Sequence, residues 1–129
     1  MVKVVSKKSY ETETGWIFYV AGIQHHDLDL VIDEISKGDD LDLVMEPSNT
    51  YDSNAVRIEF GLDGVMLGYV PGKISYDVSR IIKELTVDRL SCRVVIVDKD
   101  KTPWQRLYVE IEVLYDEDED EDESEEESL

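Results

Sequence analysis

Six short runs of aliphatic, β-branched and aromatic residues constrain the fold of this chain more than any other feature of its sequence. In the last run, Leu107, Val109, Ile111 and Val113 alternate with residues that are mostly polar. Such alternation is typical of a strand with one buried and one solvated face, and Gly, Pro, Asp or Asn residues bound the runs. The six predicted strands are Trp16–Gly22, Leu41–Glu46, Ala55–Phe60, Val65–Val70, Leu90–Val97 and Leu107–Val113.

Two apolar patterns with helical spacing interrupt the series of strands. The first, in residues 28–35, predicts a helix with Asp27 as its N-cap. The second, in residues 78–85, predicts a helix that begins near Ser75 or Asp77. Most connections between strands are too short for a helical crossover, so neighbouring strands are expected to run antiparallel. The pattern therefore predicts a small antiparallel barrel or sandwich with two short helices.

An acidic run ends the chain of 129 residues. Its last fourteen residues, DEDEDEDESEEESL, hold eleven acidic residues and no basic residue. Since the formal charge of the whole chain is −18, removing these eleven charges leaves −7 for residues 1–115. We therefore predict one domain at 1–115, with its core in 16–113, and a disordered acidic tail at 116–129. Duplex DNA is disfavoured as a partner, because binding it requires clustered Lys and Arg.

Several other classes of protein are disfavoured by what the sequence lacks. The single cysteine, Cys92, excludes an intrachain disulfide and a cysteine-rich zinc site. No apolar run approaches the roughly 18 residues of a membrane span, and no signal peptide is evident. We therefore expect no membrane partner. We expect a cytoplasmic protein, or a nuclear one in a eukaryotic host. Nucleotide-loop, calcium-loop and hydrolase motifs are incomplete, which predicts no catalysis, no cofactor and no small-molecule substrate. An extra edge strand is predicted at Val2–Val5.

The segment HHDLD, residues 25–29, is the one cluster of potential metal ligands in the sequence. Adjacent histidines at the end of a strand point in opposite directions, which disfavours a shared metal ion. The simpler interpretation places His25 and His26 on a strand end or loop and uses Asp27 as a helix cap. We therefore predict no metal site.

The connection EPSNTYDSNAV, residues 46–56, gathers many hydrogen-bonding side chains between two predicted strands. Asn49, Asp52 and Asn54 are typical turn residues, so a well-bonded connection is one explanation of the segment. Tyr51 is explained less well in this way. An aromatic ring beside a fixed carboxylate is suited to stacking a base and accepting a hydrogen bond from a sugar hydroxyl. The residues alone leave both interpretations open.

Three segments resemble successive blocks of the HIRAN domain family: VAGIQHHDLD, GDDLDLVMEPSNTYDSNAVRIEF and LGYVPGKISYDVSRII. The resemblance extends over roughly residues 16–113 and is most specific in the E-P-x-N-x-Y-D-x-N-A-V run and the L-G-Y after it. It implies a mostly β fold, an OB-like six-stranded antiparallel barrel with two short α-helices. It also implies a non-catalytic module that captures the 3′ hydroxyl end of single-stranded DNA, with a helicase or repair enzyme as a partner.

The resemblance assigns roles to individual side chains. Asp52 would accept a hydrogen bond from the terminal hydroxyl, Tyr51 would pack against the terminal bases, and Asn49 would shape the pocket. Trp104 matches a late stacking aromatic residue, or is only a partly buried residue at the barrel edge. The remaining matched positions are Gln24 and His25, where the eukaryotic form has arginine and tyrosine, Tyr69, where it has histidine, and Lys73, beside a phosphate contact.

Two features of the sequence, the amide of Gln24 and the acidic tail, disfavour DNA binding and so leave more than one function possible. A neutral amide does not neutralise a phosphate, which weakens the expected hold on the DNA backbone. The tail would repel DNA or act as a DNA mimic, although such runs more often serve only solubility. The leading prediction is binding of single-stranded DNA 3′ ends in repair or replication. The alternatives are a protein-interaction or DNA-mimic module that has lost DNA binding, and an accessory of an ATP-dependent helicase.

Overall fold

The computed structural model describes residues 10–116 and, among them, the side chains of residues 15–115. The edge strand predicted at Val2–Val5 lies outside the described residues. So does the predicted acidic tail, apart from Asp116, which is the last residue of the final strand.

Within residues 10–116, six strands form one curled antiparallel sheet in the order β1-β6-β5-β2-β3-β4. Together with two helices, this half-barrel confirms the predicted mostly β fold. Each strand overlaps one of the six predicted runs. The strands are β1 (Tyr10–Tyr19), β2 (Asp40–Met45), β3 (Val56–Phe60), β4 (Val65–Tyr69), β5 (Leu90–Val97) and β6 (Leu107–Asp116).

The first strand differs most from its prediction, which placed it at Trp16–Gly22. It begins six residues earlier, because Tyr10 and the residues after it pair with the end of β6. A bulge at Gly15 interrupts this pairing. The strand also ends earlier, since Gly22 has a φ of 73° and turns the chain into a short 3-10 helix.

The first helix, α1 (Leu28–Val31), contains only four residues and continues as a 3-10 turn at Ile32–Glu34. Asp27 occupies the N-cap position, as predicted, but its side chain does not make the capping hydrogen bond that was expected of it. Its φ of −103° and ψ of 22° differ from the extended backbone that brings an N-cap side chain back to the helix.

The second helix, α2 (Gly72–Leu85), begins before the predicted start at Ser75 or Asp77. The φ of Pro71 is −55°, which suits the residue that precedes a first helical turn. As a result Ser75 lies inside the helix and is buried. Neither α1 nor α2 has the length and hydrophobicity to cross a bilayer, and no other helix in the described part of the chain has them.

The two ends of the curled sheet meet at a pair of backbone hydrogen bonds. The amides of Ala21 and Tyr69 each donate to the other residue's carbonyl oxygen, and both distances are 2.9 Å. Gly68 makes this approach possible, because a Cβ there would overlap the Ala21 carbonyl oxygen and lie 2.7 Å from Val20 Cγ1. The contact brings Tyr69 next to the chain that leaves β1.

The core lies inside the curled sheet and under the two helices. The inward residues of β6 are buried, as the alternation in the sequence predicted. The outward residue Tyr108 remains partly accessible. The fully buried apolar residues are Val20, Leu28, Val56, Ile58, Leu67, Val78, Leu107, Val109 and Ile111.

Candidate functional site

The connection between β2 and β3 is organised around the side chain of Asn49. Its Oδ1 accepts hydrogen bonds from the backbone amides of Tyr51, at 2.8 Å, and Asp52, at 3.0 Å. The amide of Ala55 donates to the Asp52 carbonyl at 3.0 Å, and the amide of Glu46 donates to the Ala55 carbonyl at 2.9 Å. The bonds to Asn49 Oδ1 are the ones expected of an Asx turn, and together with the two backbone bonds they hold the loop in one conformation.

The carboxylate of Asp52 is held from two sides. Its Oδ1 accepts from the amide of Asn54 at 2.8 Å, and its Oδ2 accepts from the hydroxyl of Ser75 at 2.7 Å. The Ser75 bond, followed by the Asn54 bond, keeps the pKa of Asp52 below its ordinary value. An ionised carboxylate has about four acceptor sites, so each oxygen retains capacity for a further donor.

A second network positions the ring of Tyr69. The Tyr69 hydroxyl and the Asn49 amide both donate to Oε1 of Glu46, each at 2.7 Å, and Arg57 lies 3.3 Å from Oε2. The hydrogen bond from Asn49, and to a smaller extent the one from Tyr69, lowers the pKa of Glu46. The Glu46 carboxylate in turn raises the pKa of Tyr69. The ring of His26 meets the Tyr69 ring edge-on, with 5.6 Å between the centroids.

These two networks border an open pocket of about 240 Å³. The Tyr51 side chain lines it and is 97% exposed, so its ring is accessible to a ligand. The volume is below the roughly 300–1,000 Å³ typical of small-molecule sites, which suits the end of a larger ligand better than a whole enclosed molecule. The lining combines four predicted site residues with an apolar floor, and consists of Ala21, Asn49, Tyr51, Asp52, Ala55, Tyr69, Val70 and Gly72.

This pocket, with the lining just given, is called the end pocket below. A groove of about 510 Å³ lies beside it, across the first residues of α2. Pro71 lines the groove and Gly72 lines the end pocket, so the two depressions are neighbours. The rings of Tyr19 and Tyr108 lie 4.5 Å apart along the groove, tilted by 46°. Lys73, another predicted site residue, lines the same groove and is exposed. The groove thus offers aromatic faces next to a positive charge.

The other predicted site residues lie outside both depressions. Gln24 and His25 are exposed on the 3-10 turn Ile23–His25, which contacts the turn Pro103–Gln105. Trp104, on that second turn, is 61% exposed. In the neighbouring segment it is His26, not His25, that contacts Tyr69. Among residues 10–116, no three His, Cys, Asp or Glu side chains form a group suited to a metal ion.

Sequence reasoning missed several residues that build this region. Ser75 was assigned to a helix start, although a serine on the apolar stripe of a helix is itself a sign of a buried hydrogen-bond partner. Glu46 opens the E-P-x-N motif, but its bond to Tyr69 spans 23 residues. The pairing of Tyr19 with Tyr108 depends on the register between β1 and β6, for which the sequence holds no local signal.

Comparisons with known proteins agree with this architecture. The sequence profile of the HIRAN domain matches residues 16–116. A crystal structure of a protein from Lactobacillus plantarum has a TM-score of 0.68 and 21% identity, over 83% of this chain and 99% of the other. The crystal structure of the HIRAN domain of human HLTF has a TM-score of 0.59 and 14% identity, over 83% of this chain and 82% of the other.

At these identities the two structures show the shared fold alone. No curated protein sequence matches the chain. The profile match, however, covers most of the sequence, including the loop around Asn49 and the whole of β6. The chain therefore belongs to the HIRAN domain family, which is known as a family of nucleic-acid-binding modules.

Proposed function

We propose that this chain is a non-catalytic module that captures the 3′ hydroxyl end of single-stranded DNA and acts beside a helicase or repair enzyme. The observation that carries the proposal is the Asp52 carboxylate, which is fixed at the end pocket by Asn54 and Ser75 and lies in the same lining as the exposed Tyr51 ring. Membership of a nucleic-acid-binding family supports the same conclusion.

The chemistry of the end pocket suits a hydroxyl better than a phosphate. An ionised carboxylate accepts a charge-assisted hydrogen bond from a terminal hydroxyl, whereas it repels a terminal phosphate. Tyr51 supplies a ring face for the terminal base, and stacking of this kind tolerates any base. Tyr69 and Asn49, both held by Glu46, also line the pocket.

The adjoining groove extends the proposed path of the single-stranded DNA. Nucleotides that precede the end would stack on Tyr19 and Tyr108, and Lys73 would lie near a phosphate. Gln24, His25 and Trp104 are proposed to contact the strand outside the end pocket. Residues 1–115 carry a net charge of −7, so stacking would contribute more to the affinity than phosphate neutralisation, and the salt dependence would be shallow.

The proposal is tested with the full-length chain and short 5′-labelled oligonucleotides that end in either a 3′ hydroxyl or a 3′ phosphate. Fluorescence anisotropy is expected to show tighter binding of the hydroxyl end. Asp52→Asn should remove this preference, with a loss of about 10- to 100-fold for the hydroxyl end, because a hydrogen bond to a charged group contributes about 1.5–3 kcal/mol. Tyr51→Ala should weaken both ends equally, by about 1–3 kcal/mol.

Two variants serve as matched controls. Asp63→Asn changes an exposed carboxylate in the turn between β3 and β4, and Tyr76→Ala removes an exposed ring on α2. Neither residue lines the end pocket or the groove, so both variants should bind like the wild type. Equal affinity of the wild type for the two ends would refute recognition of the hydroxyl. No binding of either oligonucleotide would favour a protein partner instead.

A further inference from the structure

Ser75 is a buried polar residue on the face of α2 that packs against the loop between β2 and β3. Its side chain is 2% exposed, and its hydroxyl lies 2.7 Å from Asp52 Oδ2 and 3.1 Å from the Gly72 carbonyl. A hydroxyl donates only one hydrogen. The charged and closer acceptor, Asp52, is the stronger of the two. The Gly72 carbonyl remains as an alternative acceptor when the carboxylate is removed or protonated.

The bond from Ser75 completes the orientation of the Asp52 side chain. The amide of Asn54 holds Oδ1 from within the loop, and Ser75 holds Oδ2 from the helix. Two donors on different elements fix the plane of the carboxylate, whereas either one alone would leave the other oxygen unconstrained. The Ser75 bond is also the largest cause of the lowered pKa of Asp52, because a donated hydrogen bond favours the ionised carboxylate.

We infer that Ser75 is a positioning residue that sets the end specificity of the proposed site, because its hydroxyl fixes the Asp52 carboxylate to accept a terminal 3′ hydroxyl and to exclude a terminal phosphate. This inference rests on the proposed function. Ser75 itself does not line the end pocket. It acts through Asp52, so its removal should reduce the discrimination between ends more than the overall affinity for single strands.

Ser79 is the matched control for a purely structural role. It lies one turn further along α2 and is fully buried, and its hydroxyl donates to the Tyr76 carbonyl at 3.0 Å. Ser79→Ala therefore removes the same atoms from the same helix, but the hydrogen bond it loses runs to the helix backbone and not to the loop. A difference between Ser75→Ala and Ser79→Ala isolates the contribution of the bond to Asp52.

The experiment measures the affinity of the full-length chain for 3′-hydroxyl and 3′-phosphate oligonucleotides in the wild type, Ser75→Ala, Ser79→Ala and Asp52→Asn. We expect Ser75→Ala to lose about tenfold of the preference for the hydroxyl end, the scale of one hydrogen bond to a charged group. Ser79→Ala should retain the preference. NMR titration of the Asp52 carboxyl without DNA should show a higher pKa in Ser75→Ala than in the wild type or Ser79→Ala.

The outcomes separate this inference from the proposed function. Equal binding of both ends by the wild type overturns the proposed function and the inference with it. A preference that Asp52→Asn abolishes but Ser75→Ala retains overturns the inference alone, as does an equal loss in Ser79→Ala. If Ser75→Ala does not fold, Ser75→Cys takes its place, because a thiol is a weak donor of similar size. Ser75→Cys should prefer the hydroxyl end less than the wild type does. An unchanged preference in Ser75→Cys also overturns the inference.

Discussion

Gly68→Ala is expected to destabilise the fold strongly, because it places a methyl group where the two ends of the sheet meet. The new Cβ would overlap the backbone carbonyl of Ala21 and lie 2.7 Å from Val20 Cγ1. A backbone atom cannot move aside as a flexible side chain does, and overpacking of this kind costs about 1–3 kcal/mol. Separation of the strands also weakens the two 2.9 Å bonds between Ala21 and Tyr69, each worth about 0.5–1.5 kcal/mol.

The free energy of unfolding should therefore fall by about 2–6 kcal/mol, a large part of the 5–15 kcal/mol typical of a domain. Urea denaturation followed by circular dichroism measures it. Gly72→Ala is the matched control, since its Cβ position has no atom within 4 Å apart from those of its chain neighbours and its own helix backbone, and since it begins α2. It should be neutral or stabilising by up to about 1 kcal/mol. A Gly68→Ala variant within about 0.5 kcal/mol of the wild type would refute the close contact between the sheet ends.

Three further predictions concern stability and reactivity. Thr86 has a φ of 84°, which favours glycine, so Thr86→Gly should raise the free energy of unfolding by about 1 kcal/mol in calorimetry. The control Thr102→Gly, at an ordinary φ of −62°, should lower it slightly. Equal effects of the two substitutions would contradict backbone strain at Thr86. Cys92 is 2% exposed and burial raises its pKa to about 12, so a thiol reagent at pH 8 should modify it in urea but not in the folded protein. Rapid labelling without denaturant would contradict this. The folded pKa of Glu46 is lowered, above all by Asn49, so its contribution to stability is present above its unfolded pKa and is lost as the pH falls through its folded pKa. Urea denaturation between about pH 3 and pH 7 should therefore show a smaller loss for Glu46→Gln than for the wild type, and an identical profile would contradict the assignment.

The sequence by itself determined the elements whose signal is local. In β6 the alternation of apolar and polar residues reports which face of the strand is buried, and this face is set by the backbone period of two. The run Leu90–Val97 was predicted with the bounds that β5 has in the structure. Asn49, Tyr51 and Asp52 belong to one loop, so their proximity followed from the sequence, as did the turn chemistry of Asn49.

Only the tertiary structure decided the contacts between residues that are distant in the chain. The polar start of β1 at Tyr10 is a strand because β6 pairs with it, and no pattern within the segment itself indicates that partner. Tyr69 reaches Glu46, and Ser75 reaches Asp52, across 23 residues in both cases. The physical reason is that strand register, sheet curvature and the start of α2 set these distances together. A local sequence pattern predicts whether a side chain is buried, but it does not predict which distant side chain it contacts.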